Sequence, residues 1–155
     1  MSAAPATDFG RILFRISQLW RREVDGGMRR VGLNDATWRP LLYLGRLGEG
    51  VRQTDLAAAL HIEGPSLVRL LDTLERAGLV ERHPDAEDRR SKNLRMTPEG
   101  EQVYGRVEEA YGAVTERILT RVPPDQLALC VEVLGRVEQA LLDGPAPADS
   151  QEELA

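Results

Sequence analysis

Two short clusters of this 155-residue chain carry side chains suited to gripping a polyanion while reading base edges. In the first, Ser66 and Arg69 follow Gly64-Pro65 at a spacing of one helical turn. Proline in a helix's first turn loses no needed hydrogen bond, so a helix should begin here. A hydroxyl at its tip can bond a phosphate or base edge, and an arginine one turn on can reach guanine acceptors or the backbone. Pro65 adds an apolar contact near a thymine methyl. The plainer reading makes Ser66 a helix-start residue and Arg69 a solvated charge. The second cluster is Asp88, Arg89 and Arg90, with Lys92 beside it. An arginine at a hairpin tip can enter a narrow minor groove, where the negative potential is enhanced. A loose arginine loses side-chain entropy on docking, and a neighbouring carboxylate can hold its guanidinium by a bidentate pair. Asp88 reads as that holder, Arg90 as the inserted side chain, and Arg89 and Lys92 as phosphate contacts. Taken alone, the segment could equally be a solvated turn of mixed charge.

The elements around these clusters decide between the readings. Thr54 can cap a short helix from Asp55 to about His61, with Leu56, Ala57 and Leu60 inward. The helix opened by Gly64-Pro65 carries Leu67, Leu70, Leu71 and Leu74 on one face and stops at Gly78. Residues 79–83 and 92–96 read as two strands around the turn at 84–91. Helix, turn, helix and an arginine-tipped hairpin make a winged helix-turn-helix, which places one helix in a major groove and a basic loop beside it. The expected fold is mainly α with a small β-hairpin wing.

On either side lie longer helices. From Phe9 to Val31, Phe9, Leu13, Ile16, Trp20, Val24, Met28 and Val31 recur at three- and four-residue steps, although Gly26 and Gly27 weaken the last turns. Asn34 can cap a helix through about Leu47. Thr97-Pro98 opens a helix towards Val122 with Val103, Val107, Ala110, Val114 and Ile118 on its stripe. Asp125 starts a last helix through about Leu142, bearing Leu127, Val131, Leu134, Val137 and Leu141. The layout is an N-terminal dimerisation helix (1–33), a DNA-binding region (34–97), C-terminal dimerisation helices (98–143) and a disordered acidic tail (144–155), in one structural domain. The terminal helices exceed what the central module needs, so their stripes should form a homodimer interface. A twofold reader of a pseudo-palindromic duplex needs such a bridge.

A net charge of −5 is no obstacle. Residues 1–33 carry six basic and three acidic groups, residues 34–97 ten of each, and residues 98–155 four basic and twelve acidic. The acidity therefore lies outside the reading region, and DNA responds to the field within roughly 8–10 Å at ordinary salt. No apolar run reaches the ~18–20 residues of a membrane span, and the N-terminus lacks a signal-peptide core, so a cytoplasmic protein is expected. One cysteine excludes an internal disulfide. Cys130, between Leu129 and Val131 with no base nearby in sequence, should be a buried structural thiol rather than a redox sensor. His61 and His83 are too few and too isolated for a metal site. No catalytic set or Gly-rich phosphate loop appears, so neither an enzyme nor a cofactor is expected.

Trp20 and Trp38, the two tryptophans, fall in the first two helices. With Arg15, Arg22, Arg39 and His61 they could wall a site for an aromatic carboxylate, or they could simply be core and dimer-packing residues.

IEGPSLVRLLDTLERAGLVER at 62–82 and DRRSKNLRMTPEG at 88–100, supported by LWRREVD at 19–25 and GLNDATW at 32–38, resemble the MarR family of bacterial winged-helix regulators, and within it the SlyA-like branch. The resemblance spans about residues 9–142. It implies a homodimer with interlocked first and last helices, two winged heads, and control of transcription often relieved by a small anionic aromatic compound bound between helices and heads. It also implies that Ser66, Arg69, Asp88 and Arg90 lie on the reading surface. A repressor is the expected sign, an activator that displaces a silencer is the SlyA-type alternative, and a protein-interaction module without DNA binding is the rival class.

Overall fold

The computed structural model describes residues 4–85 and 92–144. The expected wing tip, with Asp88, Arg89 and Arg90, and the expected tail beyond Gly144 lie outside these residues. The chain divides into two compact units, Met1–Thr115 and Glu116–Ala155.

In the first unit, α1 (Ala4–Arg30) runs unbroken through Gly26 and Gly27. A Cβ on Gly27 would collide with the Val114 side chain, so packing rather than flexibility accounts for that glycine. The helix α2 (Asp35–Leu47) begins where expected, with the Asn34 side chain accepting the Thr37 N–H at 3.0 Å. Gly48 and Gly50, both at positive φ, turn the chain into the strand β1 (Val51–Arg52). Then follow α3 (Gln53–Leu60), α4 (Gly64–Arg76), β2 (Val80–Pro84), β3 (Lys92–Met96) and α5 (Pro98–Leu119).

One expectation is corrected here and another is extended. Thr54 lies inside α3 and is not its cap; Arg52 occupies that place, and the Asp55 carboxylate accepts its backbone N–H at 3.3 Å. The hairpin is part of a three-stranded antiparallel sheet, ordered β1-β3-β2. Val51 pairs with Leu94 and Arg52 with Asn93, while Val80 pairs with Met96 and Pro84 with Lys92. A two-residue strand is too short to show alternation.

The head closes on Leu41, Leu44, Val51, Leu56, Leu60, Leu67, Leu71, Leu74, Val80 and Leu94. Fully burying each such side chain stabilises the fold by about 1.5–3 kcal/mol, which holds α4 against α2, α3 and the sheet. Of the four leucines expected inward on α4, Leu67, Leu71 and Leu74 are buried and Leu70 is half-buried. Val24, Met28, Leu33, Trp38, Leu42, Val107 and Val114 are also buried, outside that cluster. Higher on α1 the stripe is open, with Phe9, Ile12, Leu13, Phe14, Ile16 and Leu19 all exposed.

The second unit holds the end of α5 and the helix α6 (Pro124–Asp143), in which no residue is buried. Leu129, Val131, Val133, Leu134, Leu141 and Leu142 are exposed on it. Cys130 is exposed as well, contrary to the burial expected from its apolar neighbours. Those neighbours are themselves uncovered, so local hydrophobicity was no guide to burial here.

Candidate nucleic-acid interface

The helix α4 has three functional sides, set by about 100° of rotation per residue. Leu67, Leu71 and Leu74 turn to the core. Opposite them Pro65, Ser66, Arg69, Thr73 and Arg76 form one exposed strip. Pro65 and Ser66 sit in the first turn, where the Ser66 and Leu67 N–H groups both donate to the Glu63 carbonyl, at 3.0 and 3.1 Å. Arg69 and Arg76 add two cationic groups further along. Arg76 is held back onto its own helix, donating from Nε to the Asp72 carbonyl at 3.0 Å. Thr73 and Arg76 belong to the strip by position but were missed in the sequence, where only Pro65, Ser66 and Arg69 were singled out.

The third side carries acids. Asp72 and Glu75 face Arg82 of β2, whose Nη2 donates to Asp72 Oδ1 at 2.6 Å and also bonds Glu75 Oε2. The Arg82 backbone N–H donates to Glu75 Oε1 at 3.1 Å. The hydrogen bond from Arg82 holds the Glu75 carboxyl below its ordinary range, and the bond to Glu75 raises the Arg82 guanidinium in turn. The hairpin is thereby fastened to α4 on a side away from the Ser66–Arg69 strip. Lys92, exposed, opens β3 where the hairpin returns.

A cavity of about 320 Å³ lies between α1, α2 and α5, lined by Trp20, Trp38, Arg39, Tyr43, Arg46 and Tyr111, among others. It gathers three of the six residues expected in a ligand site. Arg15 and Arg22 do not line it. Ser17, Trp20, Arg21 and Val24 make the stripe of α1 facing α2, and helical rotation carries positions 15 and 22 off that stripe. Arg22 instead borders a separate cavity of about 400 Å³ with Gln18, Arg21, Asp25 and Arg29. His61 does not line the first cavity either; it ends α3 in the left-handed conformation, at φ 52°.

Arg39 has a structural task, donating from Nη2 to the Leu60 carbonyl at 3.3 Å and so satisfying the end of α3. Arg46 lies 4.9 Å from the Tyr111 ring centroid and 3.6 Å from Glu108. Trp38 is buried, and its indole N–H has no hydrogen-bond partner among the described residues. An unsatisfied buried donor costs free energy, which makes it the polar atom of this wall most in need of an acceptor.

No group of three or more His, Cys, Asp or Glu among the described residues could hold a metal ion, and no helix described is long and apolar enough to cross a membrane.

The MarR family pattern matches residues 31–91, from just after α1 to the residue before β3. The solved transcriptional regulator PA3341 is 38% identical, over 87% of this chain and 98% of its own, with a TM-score of 0.80. A MarR-family transcriptional regulator from Rhodococcus sp. RHA1 is 26% identical over 88% of this chain and 96% of its own, at TM-score 0.76. The fold is also that of an E. coli MarR mutant solved in complex with operator DNA, which is 21% identical over 84% of this chain and 93% of its own, at TM-score 0.72. A three-stranded wing braced on α4, with this similarity along nearly the whole chain, makes the assignment: the protein belongs to the MarR family of transcriptional regulators.

Proposed function

We propose that this regulator is a homodimeric, sequence-specific DNA-binding repressor, released by a small anionic aromatic ligand. The observation that carries the reading is the exposed strip Pro65, Ser66, Arg69, Thr73 and Arg76 on a helix whose opposite face is locked in the core. It supplies hydroxyls and guanidinium groups at the spacing a major groove accepts. Arg90, held by Asp88, serves the minor groove, and Arg89 and Lys92 serve phosphates. The operator complex of the E. coli relative supports the same use of the shared fold.

The uncovered apolar stripes on α1 and α6 support a dimer, since large exposed apolar patches on a folded chain mark contact surfaces. The dimer places the two recognition helices in successive major grooves about 34–36 Å apart. The cavity lined by Trp20, Trp38, Arg39 and Arg46 suits an aromatic carboxylate, with ring faces for the aromatic part and guanidinium groups for the charge. Such a ligand releases DNA only by binding the incompetent spacing of the heads more tightly than the competent one. The protein acts in the cytoplasm. The segments resembling the SlyA-like branch support the second reading, an activator that displaces a silencer from the same site.

Gel-shift selection from random genomic fragments supplies a binding site and tests the reading directly. Arg69→Ala and Arg90→Ala should each weaken specific binding by about 1–3 kcal/mol per half-site while the protein stays folded. Sedimentation should give two chains per bound site. Native affinity in both variants at matched salt would remove the assignment of the reading surface.

A further inference from the structure

The outgoing strand of the wing is tied to the helix-turn-helix at two points. One is Arg82 on α4. The other joins residues far apart in sequence: Arg52 Nε donates to Asp85 Oδ2 at 3.1 Å. The Asp85 side chain is only 6% exposed and that of Arg52 is 47% exposed. Asp85 is the one charged residue that is buried among those described, and a buried carboxylate is tolerated only when a cation or donors compensate it.

The register shows what this pair spans. Arg52 on β1 and His83 on β2 both lie opposite Asn93 of the central strand β3. Asp85 immediately follows β2. Neighbouring strands are about 4.8 Å apart, so the two outer backbones stand roughly 10 Å from one another. Arginine's long side chain can bridge that gap to an aspartate, whereas serine or threonine could not. Arg52 is also the residue from which α3 starts, fixed there by Asp55. The contact therefore straps the point where β2 ends to the first helix of the helix-turn-helix, while Arg82 fastens the same strand to the second.

We propose that Arg52 and Asp85 form a positioning pair that sets the pitch of the β2–β3 stem against α4, and with it the approach of the wing to DNA. The inference rests on the DNA-binding reading above and assigns the pair no contact with the bases. The strap works by limiting the angles the stem can sample, so the wing loses less entropy on docking.

The sign of the Asp85→Asn effect separates this role from the obvious rival, in which Arg52 touches a phosphate itself. Removing a carboxylate near DNA should tighten binding if Arg52 were a direct contact. The strap demands the opposite, roughly 5- to 20-fold weaker binding of a fragment selected with the native protein, the loss expected of one good contact. Arg52→Met should match that loss, and Arg52→Lys should restore part of it, because lysine keeps the charge without the planar fork. Amide exchange, measured without DNA, should quicken in β2 and β3 of Asp85→Asn and Arg52→Met and stay native in α4.

Unchanged or tighter binding by Asp85→Asn, or native exchange in β2 and β3 of both variants, overturns the proposal. If Asp85→Asn does not fold, Arg52→Met at its half-exposed position decides on the exchange readout, because its loss of DNA binding is expected of either role. A native protein that binds no DNA fragment overturns the DNA-binding reading instead, and the exchange measurement still decides whether the strap holds the stem.

Discussion

Gly100 of α5 lies directly against the main chain of Leu79: a Cβ at position 100 would fall on the Leu79 carbonyl oxygen and 3.0 Å from its carbonyl carbon. The same carbonyl accepts the Thr97 N–H at 3.1 Å. The Thr97 hydroxyl in turn donates to the Gly78 carbonyl at 2.6 Å and accepts the Gly100 N–H at 3.0 Å. The knot fixes the exit of α4, the return of the wing and the start of α5 in one place. A single hydroxyl thus serves as cap and tether together.

Gly100→Ala should therefore destabilise the protein by about 3 kcal/mol, because the neighbour that must yield is backbone and not a flexible side chain. The urea midpoint should fall with the slope unchanged. A native midpoint would show that α5 can shift away from Leu79 at little cost. Gly10→Ala, with open space around its Cβ, is the matched control and should leave stability level or slightly raised.

Arg82→Met should change the acid limb of stability. The Arg82 hydrogen bond lowers the Glu75 carboxyl from its ordinary value of 4.5. A carboxyl depressed on folding contributes stability that is fully present above its unfolded pKa and is lost as pH falls through the folded one. Native protein should thus shed this contribution below about pH 4.5. The variant, lacking the partner, should be less stable by about 1–2 kcal/mol at neutral pH and show a flatter acid limb; the partial exposure of Glu75 keeps the figure small. Arg82 itself is raised on folding, so its contribution would be lost only at strongly alkaline pH. Chemical denaturation at a series of pH values checks both, and parallel acid limbs would contradict the coupling.

Trp38→Phe should weaken the effect of an aromatic carboxylate on operator binding and spare operator binding in its absence. Phenylalanine keeps most of the ring while removing the unpartnered indole N–H, which avoids the large cavity that alanine would open. Arg46→Gln should do the same by taking away a cationic group of the cavity wall. Fluorescence of the remaining Trp20 reports the ligand, and by reciprocity bound DNA should lower its apparent affinity. A full ligand response in both variants would move the effector site elsewhere while leaving the DNA-binding strip untouched.

The helices and their order were legible in the sequence because their signals are local. Asn34, Gly64-Pro65, Gly78 and Thr97-Pro98 act within one turn of where they stand, and the leucines of α4 repeat at the helical period. The exposed strip around Ser66 and Arg69 followed from that period, since a core face implies its opposite. Tertiary structure alone decided what depends on pairs distant in the chain. β1 exists because Val51 meets Leu94, and the buried Asp85 meets Arg52 across the sheet. Arg39, Arg46 and Tyr111 share a cavity through helix packing that no spacing encodes, while Arg15 and Arg22 miss it by a rotation about α1. Cys130 shows the same limit from the other side. Apolar neighbours in sequence give a residue the capacity for burial, and only a packed surface over them removes it from water.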